Sequence, residues 1–154
     1  MVSVVPNVPF VAGGKMPIKN FEELEIWQIA RRLTQEVYTL AQTSKLSRDY
    51  GLRDQMQRAA VSTMSNIAEG FERGGNQEFG QFLYVAKASC GELRSQLYVA
   101  LDQKYINPQA ANEMTMTLKR LSMMIKHLID HLKQSGMRGP KYNSSSSSRS
   151  LEIS

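Results

Sequence analysis

The chain has 154 residues, which is enough for one compact domain and short for two. Hydrophobic residues make up 42% of it and charged residues 21%, a balance that is typical of globular domains and excludes wholesale disorder. One cysteine excludes an internal disulfide and a multi-cysteine zinc site. The formal net charge of +5 favours nucleic acid or an acidic membrane surface as a partner, without choosing between them.

The two ends of the chain differ in composition from its centre. Residues 1–18 contain three prolines and lack the basic start of a signal peptide, and residues 135–154 contain a proline, two glycines and a run of five serines. These compositions predict flexible extensions on either side of one domain over residues 19–134. No apolar run reaches the roughly 18 residues that a membrane span needs. We therefore expect a cytoplasmic protein that does not bind a membrane.

The first two predicted helices lie on either side of Gly51. The first covers about residues 21–44 and follows Asn20 and Glu23, which have the spacing of a capping box. The second ends at Gly74, because glycine tolerates the left-handed backbone conformation that stops many helices. Apolar residues recur at helical spacing through both segments.

The third predicted helix starts at a cap on Asn76 and extends to about Lys104. Asn107 and Pro108 then start a fourth helix, because proline suits the first helical position. Apolar residues of the fourth helix alternate in steps of four and three, which is typical of a helix packed along another: Met114, Leu118, Leu121, Ile125, Leu128 and Leu132. No long segment alternates with period two. The predicted fold class is therefore all-α, an up-and-down four-helix bundle.

The third and fourth helices carry more apolar side chains than one core requires. The additional residues lie off the main apolar stripes: Tyr84, Val85, Tyr98 and Val99, followed by Met116, Met123 and Met124. Large exposed apolar patches usually mark interfaces, so we expect a homo-oligomer. The alternative is a broad core with a few tolerated surface methionines.

A narrow polar stripe follows one side of the second helix. Its members are spaced so that they share a face: Arg58, Ser62, Ser65, Asn66, Glu69 and Arg73. The third helix offers a matching run of small residues with Glu92 beside it. We interpret Arg58, Ser62, Asn66, Glu69, Arg73 and Glu92 as a polar seam between helices or subunits. The alternative is a surface for a ligand or for nucleic acid.

Few residues suggest catalysis. His127 and His131 are four residues apart with Asp130 between them, a spacing that can hold a metal, but the sequence identifies no third ligand. We therefore expect a solvated helix face there. Cys90 lies among small residues and is interpreted as a buried apolar side chain. We expect neither catalytic residues nor a metal or cofactor, and hence no enzyme.

Five basic residues are candidates for contacts with nucleic-acid phosphates: Arg31, Arg32, Arg53, Lys87 and Arg94. Every predicted helix also carries carboxylates, so the alternative is an ordinary solvated surface. The net charge over residues 19–134 is only +2, and most of the basicity lies outside the predicted bundle. Contact with RNA or DNA must then depend on clustering of these residues.

Three blocks of the sequence carry a family resemblance. They are residues 21–30 (FEELEIWQIA), residues 58–73 (RAAVSTMSNIAEGFER) and residues 86–93 (AKASCGEL). Together they resemble the bacterial four-helix-bundle proteins, which are also called 23S rRNA intervening-sequence proteins. The resemblance covers about residues 19–134.

The resemblance implies an up-and-down bundle, often a ring of five copies, without known catalysis. That family is similar in fold to the accessory variability proteins of diversity-generating retroelements, which bind nucleic acid and a reverse transcriptase. We therefore expect a non-enzymatic homopentamer that contacts RNA or DNA phosphates non-specifically. The alternative function is a protein-interaction adaptor, for example an accessory subunit of a reverse transcriptase.

Overall fold

Four α-helices make up most of residues 18–137, the part of the chain that the computed structural model describes. They are α1 (Glu25–Thr43), α2 (Tyr50–Glu72), α3 (Asn76–Asp102) and α4 (Pro108–Met137). The connections between them are only three to six residues long, so that each helix runs antiparallel to the one before it. This range contains no strand. The predicted all-α four-helix bundle is therefore confirmed.

The predicted extensions fall almost wholly outside the described residues, which exclude residues 1–17 and 138–154. Within the description, α4 continues to Met137, three residues past the predicted end of the bundle at residue 134. None of the described helices is long and apolar enough to cross a membrane.

Helix α1 begins four residues later than predicted. Residues Phe21–Glu23 form a separate 3-10 turn, and Leu24 then adopts an extended conformation. The Glu23 carboxylate accepts hydrogen bonds from the backbone N–H groups of Asn20 at 2.9 Å and Lys19 at 2.8 Å. These bonds lower the pKa of Glu23. The predicted pairing of Asn20 with Glu23 thus stabilises the turn before α1 and not α1 itself.

The start of α2 also differs from the prediction, because Gly51 lies inside its first turn. A short 3-10 helix (Lys45–Arg48) precedes α2. The Asp49 side chain caps the start of α2 by accepting a hydrogen bond from the Leu52 N–H at 3.2 Å. The hydroxyl of Tyr105 donates to the other oxygen of Asp49 at 3.0 Å. Asp49 therefore ties the α3–α4 connection to the start of α2.

The residues predicted to end or start the other helices do so, with one change. Gly74 ends α2 at φ +79°, in the left-handed region that glycine tolerates. Gly75, and not Asn76, occupies the cap position of α3. Asn107 accepts a hydrogen bond from the Ala110 N–H at 2.8 Å and so caps α4 as predicted.

All four helices contribute to one apolar core. On α4 the core follows the predicted spacing as far as Ile125 and then changes: Ile129 is fully buried, whereas Leu128 is only half-buried. A straight helix repeats every 3.6 residues, so its buried side drifts away from a strict seven-residue pattern. The last turns of α4 therefore bury a position that the pattern does not mark.

Helices α2 and α3 are in tight contact at Gly70. A Cβ atom at this position would lie 2.7 Å from Cβ of Phe82 and 3.0 Å from Cδ2 of Phe79. No side chain larger than hydrogen fits without moving one of the two helices. Gly70 therefore sets the spacing of the two helices at this end of the bundle.

We predict that Gly70→Ala destabilises the fold by about 1–3 kcal/mol, since the added methyl group overpacks the contact with Phe82. Gly80→Ala is the control, because a Cβ atom there meets nothing within 4 Å. We expect that control to stabilise the protein by about 0.5–1 kcal/mol, because alanine favours the helix. Urea unfolding measures both changes, and equal effects would contradict the assignment.

Candidate functional site

A chain of hydrogen bonds joins α2 to α3 in the middle of the bundle. The hydroxyl oxygens of Ser62 and Ser89 lie 2.9 Å apart. The Asn66 amide donates to the Ser62 carbonyl at 2.7 Å and to its hydroxyl at 3.1 Å. Ser89 is buried, and Ser62 and Asn66 are half-buried. These three residues form what we call the serine seam, which pairs polar groups that the approach of the two helices removes from water.

The charged members of the predicted stripe lie outside the serine seam. Arg58, Glu69, Arg73 and Glu92 are all exposed. Arg73 pairs with Glu69 at 3.1 Å and lies 5.2 Å from the centroid of the Phe82 ring. Glu92 accepts a hydrogen bond from the Gln96 amide at 3.3 Å. Exposed pairs of this kind contribute little stability. The four charged side chains therefore lie at the rim of the α2–α3 contact, where a partner could bind them at little cost to the fold.

Arg58 also lines a shallow groove on the α1–α2 side of the bundle. The groove has a volume of about 440 Å³, and its wall combines apolar and polar groups: Tyr38, Asp54, Gln57, Arg58, Val61, Ser62 and Ser65. Tyr38 and Val61 are more than one-third exposed there. The groove is therefore a second surface on which a partner could rest, and it meets the serine seam at Ser62.

The five predicted phosphate-binding residues do not form one cluster. Arg53 is occupied, because it donates to the Ser47 carbonyl at 3.0 Å and lies 3.2 Å from the Asp54 carboxylate. Arg31 and Arg32 are exposed on α1, and Arg31 lies 5.7 Å from the Trp27 ring centroid. The other two candidates, Lys87 and Arg94, are half-buried on α3.

A row of lysines on α4 was missed by the sequence analysis. Lys119, Lys126 and Lys133 are exposed and follow each other at intervals of seven residues, so they share one edge of the helix. The Lys133 ammonium donates to the Tyr84 hydroxyl at 2.6 Å, which shows that this edge faces α3. The seven-residue spacing of these lysines was visible in the sequence. The sequence did not show which side of α4 packs against α3.

Lys87 and Arg94 lie on α3 and are also seven residues apart. Tyr84 is three residues before Lys87, so these side chains lie on neighbouring positions of the α3 surface. We call Lys87, Arg94, Lys119, Lys126 and Lys133 the basic face. The structure thus brings two of the five predicted residues together with three that were not predicted.

The histidine pair near the end of α4 lies beside a lysine–aspartate ion pair. Asp130 between the histidines accepts two hydrogen bonds from Lys126, at 2.6 and 2.7 Å. The ammonium group lowers the pKa of Asp130 and holds it as a carboxylate that pairs with lysine. Residues 18–137 contain no group of three histidines, cysteines or acids close enough to bind a metal ion.

Cys90 is buried on α3. Burial raises the pKa of its thiol to about 11, and a hydrogen bond with Thr63 offsets this only in part. The thiolate is the reactive form, and burial keeps its fraction at Cys90 very small at neutral pH.

Alkylation measures the state of Cys90 directly. At pH 8 a pKa of about 11 leaves about one thiol in a thousand ionised. We predict slow reaction with iodoacetamide in the native protein and fast reaction in denaturing urea. The rate should rise as the pH approaches 11. A native thiol that reacts as fast as the unfolded one would contradict this.

A double-mutant cycle tests the serine seam. We predict that Ser62→Ala and Ser89→Ala each cost about 1–2 kcal/mol, because each removes the hydrogen bond between the two hydroxyls. The double variant should cost less than the sum of the two single variants. Ser65→Ala, an exposed serine on the same stripe, is the control and should change stability by less than about 0.5 kcal/mol. Strict additivity in urea unfolding would contradict the pairing.

The fold and its surfaces define a class of protein, a helical bundle whose polar groups form an inter-helix seam and charged outer faces. Residues 22–127 match the family model described as 23S rRNA-intervening sequence protein. The chain belongs to this family, as the resemblance of its three sequence blocks implied. No curated protein matches the sequence.

Proposed function

We propose that this protein is a non-enzymatic bundle that assembles into a ring of identical copies and contacts RNA or DNA phosphates non-specifically. The exposure of apolar side chains on two separate helices carries the proposal of assembly. Val85 and Val99 of α3 are 48% and 46% exposed, and Met116 and Met123 of α4 are 62% and 61% exposed. Surfaces of this kind are usually covered by a partner.

The positions of the two patches favour a ring. The valines lie on one helix and the methionines on another, so a contact between the two patches joins different surfaces of neighbouring copies. Such heterologous contacts generate closed rings when the rotation between copies closes. Met124 takes no part in this, because it packs against the core. The family resemblance supports five copies as the ring size.

The basic face supports the proposed contact with nucleic acid. It places five positive side chains beside the α3–α4 contact, and lysine and arginine bind phosphates without reading bases. The family name refers to intervening sequences of 23S rRNA, which supports RNA in particular. A ring would repeat the basic face in every copy.

The groove beside Arg58 favours a second function, that of a protein-interaction adaptor. Its exposed Tyr38 and Val61 form an apolar centre, and Asp54 and Arg58 supply charges beside it. Protein interfaces commonly have such an apolar centre and polar rim. A reverse transcriptase is the partner that the family resemblance suggests. Binding of a purified reverse transcriptase that is lost in Arg58→Glu and kept in Arg73→Glu would favour this function.

Light scattering after gel filtration tests the assembly. We predict a wild-type mass about five times the chain mass of 17.4 kDa. Val85→Glu combined with Val99→Glu should give monomers, because buried, unpaired carboxylates oppose the contact. Val61→Glu is the control, since it places the same charge on the α1–α2 groove, and it should leave the mass unchanged. A monomeric wild-type protein at micromolar concentration would refute the ring.

Titration of the full chain with unrelated RNA and DNA at rising salt concentration tests nucleic-acid binding. We predict association that weakens steeply with salt, because bound phosphates release counterions. Binding that does not change with salt, or no binding, would refute the proposal. Circular dichroism shows whether each variant used in these tests is folded.

A further inference from the structure

One contact indicates the register between α3 and α4. The Lys133 ammonium lies 2.6 Å from the Tyr84 hydroxyl oxygen and 5.1 Å from the centroid of the Tyr84 ring. Because the two helices are antiparallel, moving two turns forward along α3 corresponds to moving two turns back along α4. This register places Gly91 level with Lys126 and Tyr98 level with Lys119.

Two parallel rows therefore border the α3–α4 contact. Lys119, Lys126 and Lys133 succeed each other at about 10.5 Å along α4, from a rise of about 1.5 Å for each of seven residues. Tyr84 and Tyr98 form the row on α3, with Lys87 and Arg94 beside them at the same seven-residue interval. Each row is about 21 Å long.

Most of the nearby acids lie on other edges of the two helices. Glu92 pairs with Gln96, which is seven residues after Ser89 and so lies on the α2 side of α3. Burial raises the pKa of Glu36 of α1, and the nearby Glu113 raises it further, so Glu113 lies on the α1 side of α4.

Two acids are exceptions, because Asp130 binds Lys126 in the row and Asp102 is four residues after Tyr98 on the same edge of α3. Five positive charges thus face two negative charges, and exposed ion pairs of this kind contribute little stability.

The two tyrosines leave aromatic surface open to solvent. Tyr84 is 44% exposed and Tyr98 is 60% exposed. Between them, a Cβ atom on Gly91 would meet nothing within 4 Å, so no neighbouring side chain fills the space. Bases of a single strand stack on exposed aromatic rings of this kind, whereas the bases of a duplex are already stacked on each other.

A cleft opens at the Tyr84 end of the rows. It has a volume of about 490 Å³ between the start of α3 and the end of α4, with an apolar floor and a polar rim. Gly80, Tyr84, Ile129 and Lys133 are among its lining residues. This volume lies in the range of ordinary small-molecule sites and has room for one unstacked base.

We propose that the basic face, together with Tyr84 and Tyr98, binds a single-stranded nucleic acid. Lysine and arginine side chains neutralise successive phosphates, and unpaired bases stack on the two tyrosines. The inference rests on the proposed nucleic-acid function and deepens it, because it identifies the surface and selects single strands over duplexes.

Fluorescence anisotropy with labelled strands tests the inference on the full chain. The probes are an oligouridylate of about 12 nucleotides, the matching oligothymidylate, and an RNA duplex of the same length. We expect both single strands to bind alike and at least about tenfold more tightly than the duplex, because only they present unstacked bases. Equal or tighter binding of the duplex would overturn the inference.

Substitution of the lysine row tests the phosphate contacts. If all five basic residues contact phosphates, the slope of log Kobs against log salt should be about −3.5. Changing Lys119, Lys126 and Lys133 to Gln should reduce its magnitude by about 2 and weaken binding about a hundredfold at about 0.1 M salt. The matched control changes Lys19, Lys45 and Arg48 to Gln, three exposed residues outside the α3–α4 side. Equal losses in the two variants would overturn the assignment to this face.

Tyr98 tests the stacking contacts separately. Tyr98→Ala should weaken single-strand binding about tenfold with an unchanged salt slope, and Tyr98→Phe should restore it, because phenylalanine keeps the ring. Failure of the phenylalanine variant to restore binding would overturn the stacking role. If no polynucleotide binds the wild-type protein, the proposed function itself fails. If the lysine-row variant binds as the wild type does, only this surface is wrong.

Discussion

The close approach of α2 and α3 is the constraint on which the other surfaces depend. At Gly70 the two helices leave no room for a methyl group, and farther along Ser62 and Ser89 meet at hydrogen-bond distance. At these two points only a small residue or a short hydroxyl side chain fits on α2 without overlapping α3. Larger charged residues of the same stripe, such as Arg58 and Glu69, are therefore placed at the rim in solvent. Packing on α2 also fixes which part of α3 faces outward.

Local sequence patterns predicted the helices because each depends mainly on its own apolar spacing and end signals. The pairing of Asn107 with Pro108 correctly marked the start of α4. The errors occur where a helix end depends on contacts that spacing does not encode. Glu23 binds two backbone N–H groups and makes a separate turn before α1, and Asp49 caps α2 early enough to include Gly51. In each case the partner of the side chain is a backbone N–H group whose position is known only once the chain has folded.

The candidate surfaces were less predictable than the fold. Helical spacing identified the polar stripe of α2, but the approach of α3 decides that Ser62 lies in the seam while Arg58 does not. The seven-residue spacing of Lys119, Lys126 and Lys133 was present in the sequence, but nothing in the sequence indicated that these lysines lie next to α3. Only the contact of Lys133 with Tyr84 shows that the lysines border α3. A surface made by two helices requires their relative rotation, which the pattern of either helix alone does not contain.

The two proposed roles use different edges of α3. Tyr84 and Val85 are adjacent in sequence and so lie about 100° apart around the helix, as do Tyr98 and Val99. The tyrosine edge borders the lysines of α4, and the valine edge is turned away from them. The valine half of the proposed contact therefore leaves the tyrosine edge of α3 uncovered. The methionine half lies beside the lysine row of α4, because Met116 and Met123 are three residues before Lys119 and Lys126. The net charge of +5 mattered less than this arrangement, because a local excess of charge creates the field that a phosphate backbone meets. A bundle with nearly balanced charge can present a basic face if most of its carboxylates lie on other edges.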